Sequence, residues 1–326
     1  MRAVLCTELS DIPVVSMAEH APPAMASGQI RIHVHAAGLN FADLLLLQGK
    51  YQEKPDLPFT PGMELAGVVA ELGTDVTGFA VGDRVLGIPG LGAYADEAVL
   101  DAGSVYHIPD NLGLEAAAGF PIVYGTAHLG LTHKARLQSG ETLLVHGAAG
   151  GVGLAAVEIG TLIGARVIAT ASTEDKLAVA RCHGASHALL SATPDLAKRL
   201  KAVAGPGGID VAFDPVGGPM FEASLRAIAW EGRLLVIGFA AGIVQQIPAN
   251  VVLVKNCDVL GFFWGAYRTR DPETVRRSLE EALSWVGEGR LQPDVPETFP
   301  LERAADALHR LRSRQSIGKV VLTTGR

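Results

Sequence analysis

Glu141-Thr142-Leu143-Leu144-Val145-His146-Gly147-Ala148-Ala149-Gly150-Gly151-Val152-Gly153 is the stretch whose reading decides the fold. Leu143, Leu144 and Val145 form an apolar run suited to a strand buried on both faces. The small residues after it neither fill a core nor continue a sheet, so a tight turn follows. From Leu154 to Ile163 the pattern is helical, with Ala155 and Ala156 small enough to let that helix lie close to the strand. A second apolar strand, Val167 to Ala171, follows at the interval that a strand–helix–strand unit requires. Aligned on the dinucleotide-binding glycine pattern, Ala148 stands at the first glycine, Gly150 at the second and Gly153 at the third. Gly150 then lets the backbone approach a pyrophosphate and Gly153 permits close helix–strand packing, while the amides around Gly151 and Val152 open the helix toward phosphate charge. A glycine triplet alone also fits any mobile strand–helix loop; the flanking strands and helix favour the nucleotide reading.

Working outward, the chain changes texture near residue 121. Before it come short strands broken by Gly, Pro and Asp: Gln29 to Ala36, Ala66 to Glu71, Arg84 to Gly87 and Ala93 to Val99, with little helix beyond Phe41 to Gln48. Such breaks suit an antiparallel, barrel-like domain. After it, helix and strand alternate. Helices are expected through Lys176 to Cys182, Pro194 to Ala204 and Met220 to Ala229, with strands at Ala188 to Leu190, Asp210 to Phe213, Leu234 to Gly238 and Val259 to Phe263. Repeated crossovers of this kind give a parallel sheet. Amphipathic helices near Pro272 to Gly287 and Glu302 to Ser313 precede a last strand, Lys319 to Thr323, which must pair with something. The C-terminal segment is therefore expected to return to the first domain.

With 326 residues, two domains are the natural expectation. A net charge of −7 argues against a general affinity for nucleic acid or anionic membrane. Cys6, Cys182 and Cys257 follow no metal or disulfide spacing, and no signal region or membrane-spanning run is apparent, so a cytoplasmic protein is expected.

The residues resemble the medium-chain dehydrogenase/reductases, and within them the zinc-free quinone oxidoreductase (zeta-crystallin-like) branch. The blocks that carry the resemblance span the chain: Asn40-Phe41-Ala42-Asp43, Pro61-Gly62-Met63-Glu64, Gly82-Asp83-Arg84-Val85, Tyr124-Gly125-Thr126-Ala127, His146 to Gly153, Ile237-Gly238-Phe239, and Ile247-Pro248-Ala249-Asn250 running to Phe262-Phe263-Trp264-Gly265. The resemblance implies an α/β protein with a GroES-like substrate domain, 1–122 and 266–326, and a Rossmann dinucleotide-binding domain, 123–265. It also implies a nicotinamide cofactor and, commonly, a homodimer.

Zinc-dependent relatives place a cysteine and a histidine where this chain has Asn40 and Met63. An amide and a thioether are poor zinc ligands, so no metal site is expected, and none of the ten histidines is taken as a ligand. Without a Lewis acid, an already electrophilic acceptor such as a quinone or enone is the fitting substrate. Glu64 reads equally as an acid/base group or as a structural residue.

An NAD-preferring site normally closes its second strand with an acidic residue. Here the chain reads Ala171-Ser172-Thr173, with Lys176 one turn later, so Ser172 and Lys176 favour the 2′-phosphate of NADPH. Thr173 with Glu174 and Asp175 reads equally as an ordinary helix cap. The resemblance adds Arg314 to that phosphate and puts Ser191 near it. It also assigns Thr126, Gly238, Phe239, Phe262, Phe263 and Trp264 to the nicotinamide side, and Asn40, Asp43 and Tyr51 to the substrate side. For any single ring at 262–264, a role only in the core or an interface fits as well as one at the nicotinamide. Asn40 or Tyr51 is expected to stabilise a developing oxyanion, with Tyr51 or solvent giving the proton.

These readings converge on an NADPH-dependent quinone reductase. The alternatives are an enoyl or enone reductase, and an NADPH-binding structural or nucleic-acid-binding protein without turnover. The apolar Val251-Val252-Leu253-Val254 run reads as a buried segment or as part of a dimer interface.

Overall fold

A computed structural model describes all 326 residues, which divide into two compact units, Met1–Ile122 with Leu283–Arg326, and Val123–Ala282. In the first unit the chain runs β1 (Arg2–Leu5), β2 (Ser16–Glu19), β3 (Gln29–Gly38), α1 (Phe41–Leu47), β4 (Leu65–Leu72), β5 (Arg84–Gly87), β6 (Glu97–Asp101), β7 (Val105–His107) and α2 (Leu114–Ala118). Along β3, Ile30, Ile32 and Val34 point inward at every second residue, as a half-buried strand requires. They share one apolar core with Leu65, Val85 and Leu100 and with Leu44, Leu46 and Leu47 of α1.

The second unit begins within α3 (Pro121–Leu129). It continues through β8 (Thr142–Val145), α4 (Gly151–Ile163), β9 (Arg166–Ala171), α5 (Glu174–Cys182), β10 (His187–Leu190), α6 (Leu196–Ala204), β11 (Ile209–Asp214), α7 (Pro219–Ala227), β12 (Ile228–Val236), α8 (Ala249–Lys255), β13 (Asp258–Gly261), α9 (Trp264–Arg270) and α10 (Pro272–Gly287). Its strands form one parallel sheet in the order β10-β9-β8-β11-β12-β13, the 3-2-1-4-5-6 order of the dinucleotide-binding fold. The chain reverses direction across the sheet between β8 and β11, so a ligand is expected beyond the C-terminal ends of these two strands.

The last elements, β14 (Glu297–Pro300), α11 (Ala304–Arg312) and β15 (Val320–Thr323), return to the first unit. β15 pairs antiparallel with β3 and parallel with β14, completing a sheet ordered β14-β15-β3-β4-β5-β7, with β6 also on β3. The terminal strand thus finds its partner where the sequence requires one.

Several elements differ from their sequence reading. The strand expected at Ala93 to Val99 lies at Glu97–Asp101, because the Tyr94 carbonyl is taken by the Val4 amide and the Ala93 amide gives to Gly62. The helix expected to reach Ala229 stops at Ala227, where Ile228 joins the sheet opposite Ile209. The apolar run Val251 to Val254, read as a buried segment or as part of a dimer interface, lies in the helix α8 with Leu253 and Val254 exposed, and the helix ends at Asn256 in the left-handed conformation. The division between the units falls inside α10, whereas the family resemblance puts it at residue 265/266. The first half of α10 is tied to α3, since His128 Nδ1 and Ser278 Oγ lie 2.8 Å apart.

Candidate active site

The turn after β8 is made by Gly147, whose φ of 58° is left-handed. Ala148, the residue aligned with the first glycine of the pattern, is instead buried and gives its amide to Thr170 O at 3.0 Å. The tight-turn role therefore belongs one residue earlier than the spacing indicates. Gly150 is the N-cap of α4, and its amide donates to Gly147 O at 2.9 Å. A methyl group at Gly153 would lie 2.2 Å from that same oxygen, so only glycine lets the helix come this close. The amides of Gly151, Val152 and Gly153 open the helix with no carbonyl one turn before them. A backbone cradle of this kind fits the pyrophosphate of a dinucleotide.

Buried polar pairs hold the cradle. His146 bridges Thr170 and Ser224, 2.7 Å from each, and burial pushes its pKa below the usual histidine value, so the neutral ring is a strut between β9 and α7. Asp214 Oδ1 accepts from the amides of Val216 and Gly217 at 2.8 and 2.9 Å, shaping the loop beside Gly147.

At the far end of the sheet, Leu190 pairs with Ala171, and the Ser191 amide donates to Ala171 O at 2.8 Å. Ser172 and Ser191 therefore follow directly from neighbouring strand ends. Thr173 caps α5 by accepting from the Lys176 amide, as the helix-cap reading requires, and the strand end carries no acidic residue. Ser172 is exposed and Lys176 half-buried.

Thr126 lies on α3 and is largely buried. The Tyr124 hydroxyl on the same helix donates to Glu158 of α4 at 2.6 Å, and His183 contacts the other carboxylate oxygen at 2.5 Å. His128 of α3 is pushed by burial to a pKa of about 4 and is neutral at pH 7. Gly238 follows β12, and Phe239 is exposed. Of the three rings at the β13 end, Phe262 is 6% exposed and Trp264 5%, whereas Phe263 is 40% exposed. Trp264 packs on Gly125, where a methyl group would lie 2.8 Å from the indole, and Phe262 packs on Gly130. Phe263 alone offers much of its ring.

The first unit holds a buried polar cluster around Asn40, the N-cap of α1. The Asn40 amide nitrogen Nδ2 donates to Glu64 Oε1 at 2.8 Å, and its carbonyl Oδ1 accepts from Lys319 Nζ at 2.6 Å. Lys319 also donates to Leu39 O at 2.7 Å and pairs with Glu64 Oε1 at 2.6 Å. Glu64 Oε2 accepts from the Ile122 amide at 2.8 Å. Asp43 is fully buried; its Oδ2 accepts from the Asn40 amide at 2.8 Å and from the Tyr94 hydroxyl at 3.1 Å. Burial raises the Asp43 pKa to about 7, against the opposing pull of the Asn40 amide, Lys319 and Tyr94. Tyr51 is half-buried against the same apolar core, and Arg314, just past α11, is exposed with a left-handed φ of 55°.

Lys319 and Tyr94 escape the sequence reading. The only hint of Lys319 is a charge directly before the apolar run Val320 to Leu322, which is also how an ordinary strand flank looks. Met63, at the other position where zinc-dependent relatives carry a ligand, is buried in the apolar core. The residues do not fit a zinc ion: both polar atoms of Asn40 are engaged, and a divalent cation would stand beside the Lys319 ammonium.

Two family models match, the alcohol dehydrogenase GroES-like domain over residues 26–110 and the zinc-binding dehydrogenase over 151–285. Quinone oxidoreductase-like protein 2 of Bos taurus is 42% identical over 323 residues, covering 99% of this chain and 92% of its own. The chain belongs to the quinone oxidoreductase-like branch of the medium-chain dehydrogenase/reductases. Escherichia coli quinone oxidoreductase complexed with NADPH superposes with a TM-score of 0.91 at 29% identity, covering 99% of this chain and 100% of the other. An NAD-dependent alcohol dehydrogenase also superposes at 0.91, with 31% identity and full coverage of both chains. Solved structures similar to this chain therefore include NADPH complexes, which support NADPH as the cofactor, and an enzyme described as NAD-dependent. The family makes this protein an oxidoreductase.

Proposed function

We propose that this oxidoreductase uses NADPH to reduce a quinone by hydride transfer and does so without a zinc ion. The observation that carries the proposal is the Lys319 ammonium seated between Asn40 and Glu64, where a metal-dependent relative would need ligands. NADPH, when bound, supplies the hydride. The backbone from Gly150 to Gly153 holds its pyrophosphate, and Ser172, Ser191 and Lys176 select its 2′-phosphate through hydroxyl donors and positive charge in place of an acidic residue. Thr126, Gly238, Phe239 and the partly exposed Phe263 serve the nicotinamide end, with Phe262 and Trp264 as the packing behind them.

In the first unit, Asn40 donates to the substrate oxygen as negative charge develops there, and the Tyr51 hydroxyl or solvent returns the proton. Asp43 acts from behind: fully buried, it fixes the first turn of α1 and with it the Asn40 backbone. Glu64 accepts three hydrogen bonds and serves as an anchor, not as a proton donor. A quinone needs only this hydrogen-bonding assistance, because its carbonyls are already strongly electrophilic.

For assembly we propose a homodimer formed along the free edge of β13 and the exposed Leu253 and Val254 of α8. The acidic net charge gives no basis for nucleic-acid binding, and no helix is long and apolar enough to cross a membrane.

The experiment is an absorbance assay of NADPH and NADH consumption against 1,4-benzoquinone and an α,β-unsaturated ketone. Faster turnover of the quinone with NADPH is expected. Preference for the enone would convert the proposal to an enone reductase, and tight NADPH binding without turnover of either acceptor would point to a binding protein.

A further inference from the structure

Asn40 stands in the proposed mechanism as the donor to the substrate oxygen, and a role for the charges beside it rests on that reading. A carboxamide has two orientations related by a half-turn that exchange its oxygen and nitrogen, and only one presents an N–H where a donor is needed. We propose that Lys319 is the positioning residue that, with Glu64, locks the Asn40 carboxamide in the donor orientation and polarises its remaining N–H. An ammonium only donates and an ionised carboxylate only accepts. With Lys319 Nζ 2.6 Å from one end of the carboxamide and Glu64 Oε1 2.8 Å from the other, the half-turn would set like groups face to face.

The bonding of the cluster leaves one proton over. Lys319 spends its three on Leu39 O, Asn40 Oδ1 and Glu64 Oε1, while Glu64 fills its second oxygen with the Ile122 amide. Asn40 Nδ2 uses one of its two protons on Glu64, and the cluster has no acceptor for the other. Positive charge on the amide oxygen withdraws density from the nitrogen and strengthens that second donor. The lysine thus delivers, through one amide, part of the electrophilic assistance that a metal gives directly.

The chain is shaped around this arrangement. A methyl group at Gly38 would lie 2.4 Å from Glu64 Oε1, and one at Gly119 would lie 2.6 Å from Lys319 Cγ, so both glycines keep room for the pair. Stability alone does not explain it, because apolar residues of similar volume commonly replace a buried ion pair at no cost. An asparagine that bonds to both members of the pair, one at each end of its carboxamide, is explained by orientation.

The test compares wild type with K319M, E64Q and the double variant E64Q/K319M. It reads kcat with 1,4-benzoquinone, the Kd of NADPH, the melting temperature, and the Asn40 side-chain amide signals in 15N–1H spectra, assigned by their loss in N40L. K319M is expected to lower kcat by about 10- to 100-fold, below the full loss of an oxyanion donor, with the NADPH Kd within about twofold of wild type. The double variant removes both charges and should regain much of the melting temperature lost in K319M. Its kcat should stay low, and its two Asn40 amide proton signals should move together as the group becomes free to turn. Recovery of kcat alongside stability in the double variant would overturn the inference, since Lys319 would then only balance charge; so would wild-type kcat in K319M, or Asn40 signals unchanged in all variants. If wild type itself turned over no acceptor, the oxidoreductase reading would fail, while the amide spectra would still decide whether Lys319 orients Asn40.

Discussion

At Asp43, burial and hydrogen bonding pull in opposite directions and burial prevails, raising the carboxyl from 3.8 to about 7. The folded protein therefore holds a proton there that the unfolded chain releases between these two values. Stability contributed at this position is greatest below about pH 4 and falls as pH rises toward 7, by up to about 4 kcal/mol for a shift of this size. Asp43→Asn keeps an acceptor for the Asn40 amide and the Tyr94 hydroxyl but cannot ionise. Urea unfolding of both proteins across that range should show D43N gaining on wild type as pH rises; a gap independent of pH would contradict the assignment. In the other unit, Gly153→Ala forces a methyl against the Gly147 carbonyl, 2.2 Å away, and should weaken NADPH binding by at least about tenfold, measured by nicotinamide fluorescence. The absence of zinc ligands at Asn40 and Met63 is legible in the sequence because it is a matter of residue type alone. Lys319 is not legible, because its partner Asn40 lies 279 residues away and nothing local marks the lysine as buried.

Among the elements, those with strong periodicity are read correctly and those decided by competition for partners are not. Helix α10, Pro272–Gly287, matches its sequence bounds because apolar and charged residues alternate at helical spacing over 16 residues. The β6 strand shifts because the Ala93 and Tyr94 backbone groups are claimed by Gly62 and Val4, which no local pattern reveals. The α8 segment has the β-branched composition of a strand, yet forms a helix whose Leu253 and Val254 are 75% and 74% exposed. Apolar side chains this open, in the segment that leads into the edge strand β13, call for a cover. Val254→Glu together with Leu253→Glu should convert the proposed dimer to monomer in light scattering without changing the melting curve's cooperativity; a dimer that persists would remove α8 from the interface. In the first turn of α5, Lys176→Ala should lower kcat/KM with NADPH by about tenfold while leaving NADH nearly unchanged, as loss of a charge-assisted contact to the extra phosphate requires. Equal losses with both cofactors would place Lys176 elsewhere.

For the molecule as a whole, the two-unit organisation and the discontinuous first unit follow from two sequence facts. The texture changes near residue 121, and a solitary terminal strand needs a partner, which proves to be β3. The place within α10 where the units divide depends on packing such as the His128–Ser278 contact, and that emerges only in three dimensions. Charge is organised in the same way: Lys319 and Glu64 are brought together from opposite ends of the chain to serve one asparagine. A family model described as a zinc-binding dehydrogenase matches residues 151–285, while in the other unit the Asn40 carboxamide is contacted by an organic cation, Lys319. The most direct test is metal analysis of the purified protein, combined with NADPH-dependent quinone reduction before and after exhaustive treatment with a chelator. A zinc-free enzyme should contain well below one zinc per chain and keep its full rate; one zinc per chain, with activity that is lost on chelation and restored by added zinc, would contradict it.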